Sequence, residues 1–275
     1  MTLLDLIKTA LLEDMPRGDL TTESLALAPR PGRAKLIAKQ DMTLSGSEPF
    51  EQSILLLEPG AKLKWHFEDG GKVLTGQTLC SLQGDLIQIL KAERVALNFL
   101  MHLSGIATLT AQFVEQVAGT ETKILDTRKT LPGYRDLEKR AVAHGGGVNH
   151  RMDLSSAILI KDNHISVMGG ISMAVQRVRE NFTGKIEVEA STLEQVQECI
   201  TLEVDRILLD NMDNEMLAQA LKLIPNQIET EASGNMNLAR VASVAALGVS
   251  YISVGALTHS APSADVSLLF SWNTR

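Results

Sequence analysis

The chain has 275 residues, 44% apolar and 21% charged, a balance that excludes disordered and fibrous proteins. At about 150 residues per domain, that length makes two domains or one large α/β domain. The formal net charge of −7 repels nucleic acid and anionic membranes, so any anionic ligand must meet a local basic cluster.

The opening residues, Met1-Thr2-Leu3-Leu4-Asp5, lack the basic start and clean apolar run of a signal peptide. A cytoplasmic protein is expected. Apolar spacing predicts an amphipathic helix over 3–13 and a turn at Pro16-Arg17-Gly18-Asp19. A strand is predicted over 34–39, a helix over 49–57 and another strand over 63–67. Gly70, Gly71, Gly76 and Gly84 then punctuate a run expected to form a compact hairpin. The two cysteines, Cys80 and Cys199, cannot build a disulfide framework and suit apolar packing in a reducing compartment. A long helical pattern covers 86–117, with a break or bend expected at Ser104-Gly105.

Beyond residue 104 the chain alternates. Short β-like runs at 123–125, 158–160, 186–188, 206–209, 228–230 and 251–254 are interleaved with helical patterns at 173–180, 193–200, 214–223 and 238–247. The last four strands recur every 20 to 23 residues, the length of one βα unit. Six strands are too few for an eight-fold barrel. The expected fold is therefore α/β: an incomplete, six- or seven-stranded barrel of parallel strands (104–264) behind an N-terminal α+β domain (1–103), with 265–275 packing back on the latter. The stretch 241–264 has no charged side chain, but Gly248, Gly255, His259 and Pro262 mark it as a helix followed by a strand, not a membrane span.

In βα folds, ligands bind at the carboxyl ends of the strands. The residues there are Asp126-Thr127-Arg128-Lys129, Lys161-Asp162-Asn163-His164, Glu189, Asp210-Asn211, Glu231-Ala232-Ser233-Gly234 and Gly255. Residues 123–161 hold eight basic and four acidic groups, a local +4 that leaves −11 for the rest of the chain. Arg128-Lys129 and His150-Arg151, the latter following Gly145-Gly146-Gly147, are adjacent donors suited to a substrate with several negative groups. Arg can clamp a carboxylate or phosphate with two parallel hydrogen bonds, whereas Lys acts as a point charge. Arg135, Lys139 and Arg140 recur at helical spacing and are expected on an exposed face. Glu189 and Asp210 end consecutive strands. Beside phosphates such a pair binds Mg²⁺, or it bonds sugar hydroxyls or stabilises a sugar cation. The histidines have no zinc-site spacing. Ser233-Gly234 and Ser253-Val254-Gly255, in the last two loops, suit a phosphate.

These motifs resemble those of the quinolinate phosphoribosyltransferases. The resemblance is carried by Asp126-Thr127-Arg128-Lys129-Thr130-Leu131-Pro132-Gly133, by Gly145-Gly146-Gly147-Val148-Asn149-His150-Arg151 and by Leu159-Ile160-Lys161-Asp162-Asn163-His164-Ile165. It extends through Val188-Glu189, Leu209-Asp210-Asn211, Ala232-Ser233-Gly234 and Ser253-Val254-Gly255-Ala256, and to Glu93-Arg94 in the first domain. Leu131 and Tyr134 depart from the usual pattern but touch no charged position. The resemblance implies a dimeric transferase that joins phosphoribose, from phosphoribosyl pyrophosphate, to quinolinate with loss of CO₂ and with Mg²⁺. It also implies roles. Arg128, His150 and Arg151 would hold the quinolinate dianion, with Arg94 reaching in from the other subunit. Lys129 and Lys161 would hold the pyrophosphate, with Thr127 in the same loop. Glu189 and Asp210 would bind Mg²⁺ or ribose, and Ser233, Gly234, Ser253 and Gly255 would cradle the 5′-phosphate. The competing readings are a transport-associated paralogue, a silent binding protein and an unrelated phosphate-binding barrel isomerase or decarboxylase. Magnesium-dependent release of pyrophosphate separates them from the transferase.

Overall fold

A computed structural model describes residues 2–271. The chain forms two compact units, each drawn from separate segments. One combines the chain through Ala111 with Leu131–Gly146 and the segment from Ala261; the other combines Gln112–Thr130 with Gly147–Ser260.

The first unit opens with α1 (Leu3–Asp14), whose Thr2 and Asp5 cap its start reciprocally. Next come α2 (Leu20–Ser24), β1 (Pro31–Ala38), β2 (Met42–Thr43), α3 (Ser47–Leu57), β3 (Lys62–Trp65), β4 (Lys72–Val73), β5 (Thr78–Asp85) and α4 (Leu86–Gln116), whose residues from Gln112 on belong to the second unit. The glycine-punctuated run is not a simple hairpin: β5 pairs with β1 and β3, while β4 between them pairs with β2. Leu36, Phe50, Ile54, Leu79, Leu86 and Leu100 form the centre of an apolar core behind this sheet. Phe50 meets Trp65 edge-on at 5.6 Å.

Of the break or bend expected in α4, the break does not occur. The helix runs unbroken through Ser104-Gly105, because that pair serves close packing. The buried Ser104 hydroxyl donates to Ser45 O at 2.9 Å, and a Cβ on Gly105 would lie 2.1 Å from Pro262 O. α4 is long and apolar enough to cross a membrane, but 56% of its most apolar stretch is buried within the fold.

The second unit starts its sheet at β6 (Lys123–Leu125). The chain then returns to the first unit for α5 (Arg135–His144). The expectation of an exposed basic face on this helix fails at Lys139, which is fully buried. α5 turns Leu137, Glu138, Lys139, Ala141 and Val142 inward together, and Glu138 accepts from the Leu131 N–H at 3.2 Å and sits 2.8 Å from His102 Nε2. The glycines that follow also serve packing, since a Cβ on Gly145 would lie 2.4 Å from Ala107 O.

The alternation continues with β7 (Ile158–Ile160), α6 (Asp162–Met168), α7 (Ile171–Asn181), β8 (Ile186–Ala190), α8 (Leu193–Thr201) and β9 (Arg206–Asp210). It ends with α9 (Asn214–Leu223), β10 (Glu229–Ser233), α10 (Leu238–Ala245), β11 (Tyr251–Ser253) and α11 (Ala256–His259). The six strands are all parallel, in the order β6-β11-β10-β9-β8-β7. Each pairs with its successor, and the last closes on the first, except that β6 and β7 do not pair. That is a barrel with one open seam. A parallel bridge from Leu125 to Val148 adds a rudimentary seventh strand there. Finally, β12 (Val266–Ser271) runs antiparallel beside β1, in register from Arg33 with Ser271 to Ala38 with Val266. Residues 272–275 of the expected C-terminal segment lie outside the described residues.

Candidate active site

Parallel strands bring their carboxyl ends to one mouth, and the pleat sends alternate residues to the same face. Alternate positions accordingly line one cleft of about 770 Å³: Leu159 and Lys161, Glu189, Leu208 and Asp210, Glu231 and Ser233, Ser253 and Gly255. The loop after β6 contributes Thr127, Arg128 and Lys129, and the segment bridged to β6 contributes His150 and Arg151. Gly234 completes the set. Every expected site residue except Arg94 therefore lies on this cleft. Arg94 is exposed on α4 in the first unit. Gly145, Gly146 and Gly147 are not part of the lining.

The cationic wall is built from β6 outward. Asp126 is fully buried and accepts the His150 N–H at 2.8 Å, which fixes the start of His150-Arg151. Arg151 Nη1 donates to Ala157 O at 2.9 Å. Burial, and then the neighbouring charge of Arg128, weakens the Arg151 guanidinium's hold on its proton. The Nε of Arg128 is buried without a hydrogen-bond partner among the described residues. Lys129 is exposed, but its backbone is tied at both ends: its N–H donates to Thr127 Oγ1 at 3.0 Å and its carbonyl accepts from Thr258 Oγ1 at 2.8 Å.

The opposite wall is acidic. Glu189 Oε2 lies 3.2 Å from Lys161 Nζ, and Asp210 Oδ2 accepts from Asn211 Nδ2 at 2.6 Å. Two consecutive loops are pinned by one side chain of α10. Arg240 donates to Met212 O at 2.5 Å and to Gly234 O at 3.1 Å. Gly234 has a left-handed φ of 91°, and a Cβ there would lie 2.2 Å from Asn211 Oδ1, so only glycine fits.

A second layer of charge includes Glu231, expected at the end of its strand, and Glu187, Arg206 and Glu229, which were missed from the sequence. Glu187 and Glu231 are 8% and 0% exposed, and each carries an oxygen close to His150 Nε2, at 3.3 and 3.4 Å. Arg206 Nη1 lies 3.3 Å from Glu231 and 4.0 Å from Glu187, while Nη2 holds Glu229 at 2.8 Å. Its guanidinium sits 4.2 Å over the Tyr251 ring. The Ser253 hydroxyl donates to Glu231. Burial pushes the Glu187 carboxyl up. Burial also opposes the Glu231 charge, but His150, Ser253 and Arg206 hold that carboxyl below its ordinary range.

Burial opposes a charged His150 as well, yet Glu187 and then Glu231 lift it to about 9. The Arg151 N–H, 2.7 Å from Nδ1, resists a second ring proton there. Nε2 faces both carboxylates at ion-pair distance. A signal for this layer exists in Glu187-Val188-Glu189 and Glu229-Thr230-Glu231, where charged residues alternate within buried parallel strands that ordinarily read as apolar runs. Looking only at the residue after each run finds Glu189 and Glu231 but passes over Glu187 and Glu229, two places earlier.

Both cysteines are buried, and burial raises each thiol to about 12, so neither is a nucleophile.

The family description "Quinolinate phosphoribosyl transferase, N-terminal domain" matches residues 19–104, and its C-terminal counterpart matches 106–269. The chain is 42% identical over 263 residues to a "Probable nicotinate-nucleotide pyrophosphorylase (carboxylating)" of Synechocystis sp., covering 94% of this chain and 89% of that protein. It is 41% identical over 283 residues to the chloroplastic nicotinate-nucleotide pyrophosphorylase (carboxylating) of Arabidopsis thaliana, covering 95% and 81%. The solved nicotinate-nucleotide pyrophosphorylase of Ehrlichia chaffeensis superposes with a TM-score of 0.95 at 37% identity, over 98% of this chain and 99% of that one.

Proposed function

Because the chain belongs to the quinolinate phosphoribosyltransferase family, we propose that its cleft joins phosphoribose, from phosphoribosyl pyrophosphate, to the ring nitrogen of quinolinate. CO₂ is lost, and nicotinate mononucleotide and pyrophosphate result, a step of NAD biosynthesis. The observation that carries this reading is the half-buried pair of Arg128 and Arg151. Two guanidiniums set against each other, one with a buried donor to spare, suit a ligand that brings two adjacent carboxylates.

The chemistry is mainly positioning and electrostatic preorganisation. The ring nitrogen forms a bond to the anomeric carbon, and the carbon–oxygen bond to pyrophosphate breaks, its electron pair leaving with pyrophosphate. Lys129 and Lys161 offset the charge that develops there. The alkylated ring is a cation, so it accepts the electron pair left by departing CO₂, and the ring carbon then takes a proton. Ser233, Gly234, Ser253 and Gly255 surround the 5′-phosphate.

Glu189 and Asp210 fit a hard cation. Both line the cleft, and each has a single carboxylate oxygen engaged, Glu189 with Lys161 and Asp210 with Asn211. Mg²⁺ held by one or both, with water and phosphate oxygens, would neutralise charge on the pyrophosphate. The same carboxylates can bond the ribose hydroxyls. In this reading the protein is a cytoplasmic homodimer, and Arg94 of each subunit reaches the other's cleft.

The test is an assay of pyrophosphate and CO₂ release with phosphoribosyl pyrophosphate and quinolinate, with nicotinate as control. Turnover with quinolinate alone is expected. Comparable turnover with nicotinate, or no pyrophosphate, overturns the reading.

A further inference from the structure

β6 and β11 lie side by side. Just past their last pair, Ser253 with Leu125, the Val254 N–H still donates to Leu125 O at 2.9 Å. Beyond that rung the two stretches of chain part. One becomes the loop of Thr127, Arg128 and Lys129; the other turns through Gly255 into α11. Both carry residues of the cleft, so the gap between them sets how far Lys129 stands from the Gly255 backbone.

Thr258 of α11 ties the two together. It is 3% exposed and is not part of the cleft lining. A threonine in a helix ordinarily gives its hydroxyl proton to a carbonyl about one turn back. The Gly255 carbonyl is in that place, 3.3 Å from Thr258 Oγ1. The Lys129 carbonyl, 129 residues away in the chain, is nearer, at 2.8 Å. The single hydroxyl proton therefore goes to Lys129. On its other side Lys129 is held by its own N–H, which donates to Thr127 Oγ1 at 3.0 Å. Its side chain then runs over Gly255, where an added Cβ would lie 3.1 Å from Lys129 Cδ and 3.1 Å from His259 Nε2. Lysine is a strongly hydrated point charge on a flexible stem. Where such an ammonium acts is set by where its backbone and stem are anchored.

We propose that Thr258 is a positioning residue: its hydroxyl holds the Lys129 carbonyl and so keeps the lysine stem over Gly255 and its ammonium at the pyrophosphate end of the cleft. The inference rests on the phosphoribosyl-transfer reading, in which Lys129 offsets the charge of the leaving group. Thr258 is outside the cleft lining, so its effect on a ligand passes through Lys129. A residue that only stabilised the fold would act on every ligand, and would do so whether or not Lys129 were present.

The experiment combines calorimetric titration with phosphoribosyl pyrophosphate and Mg²⁺, titration with quinolinate, and steady-state kinetics. Thr258→Val keeps the shape and removes the hydroxyl, whereas Thr258→Ser keeps the hydroxyl and removes the methyl. Thr258→Val is expected to weaken phosphoribosyl pyrophosphate and to lower kcat, each about five- to tenfold, the scale of one net hydrogen bond. Quinolinate affinity should stay within about twofold of wild type, and Thr258→Ser should recover most of both losses. In a Lys129→Ala background, Thr258→Val should change phosphoribosyl pyrophosphate affinity less than about twofold, because coupled neighbours are not additive. If melting shows Thr258→Val unfolded, Thr258→Ala carries the same series. Wild-type affinity in Thr258→Val, a serine variant as weak as the valine one, or an undiminished loss in the Lys129→Ala background overturns the proposal. Wild-type protein that neither binds phosphoribosyl pyrophosphate nor turns over quinolinate overturns the functional reading and the proposal with it; wild-type turnover without a difference between valine and serine overturns the proposal alone.

Discussion

Arg151 is half-buried beside Arg128, a second cation, and that pairing sets what the wall can select. Nicotinate has one carboxylate and leaves a guanidinium without a counter-charge. Arg151→Ala should therefore weaken quinolinate by about 2–5 kcal/mol, the range for truncating one partner of a desolvated charge pair. Binding of phosphoribosyl pyrophosphate should change far less. Equal losses for both ligands in calorimetry would reject the assignment. On the acidic wall, Asp210 ends β9 outside the apolar core, so Asp210→Asn should leave the melting temperature near wild type and abolish turnover. Activity of the unaltered enzyme should vanish in excess chelator and return with Mg²⁺ or Mn²⁺. Full activity in chelator would rule out the metal.

Individual helices do two different jobs here. α10 supports the site from behind through Arg240, which closes the carbonyls of Met212 and Gly234 in successive loops. Those loops carry Asp210-Asn211 and Ser233-Gly234. Arg240→Ala strands both carbonyls, a loss of about 1–3 kcal/mol. It should raise the KM for phosphoribosyl pyrophosphate several-fold while the KM for quinolinate holds, and Arg240→Lys should recover part of the loss. An unchanged KM for phosphoribosyl pyrophosphate would mean that the loops need no such tie. α4 works through close approach. Glycine-to-alanine in a helix ordinarily stabilises by about 1 kcal/mol. At Gly105 the added Cβ would meet backbone, Pro262 O at 2.1 Å, so overpacking wins. Gly105→Ala should destabilise by about 1–3 kcal/mol and lower the melting temperature. A rise would show that the backbone near Pro262 yields freely.

For the whole molecule, the proposed dimer has Arg94 of one subunit complete the cleft of the other. In a two-fold dimer the same patch on each subunit serves the other. Arg94→Ala and Lys161→Ala homodimers should both be nearly inactive. Mixed after dissociation, half of the dimers carry one intact site of two, so activity should recover to roughly a quarter of wild type. If mass spectrometry shows that subunits exchange and no activity returns, Arg94 does not act across the interface.

By itself the sequence determined the six barrel strands, that they run parallel, and the polar residue ending every one of them but the last. These are local matters: period-two and period-3.6 patterning, and the rule that parallel strands present their carboxyl ends together. It therefore placed Arg128, Lys161, Glu189 and Asp210 in one mouth, while Arg151 was legible only as part of a basic cluster. Tertiary structure decided the rest. It kept α4 unbroken through Ser104-Gly105, buried Lys139 in α5 and took Leu131–Gly146 into the first unit. It also set Glu187, Arg206 and Glu229 in register across three strands and turned the His150 ring onto Glu187 and Glu231. Each of these depends on contacts between residues far apart in the chain. No residue's own periodicity reports whether its neighbour in space is a proline carbonyl, a carboxylate or water.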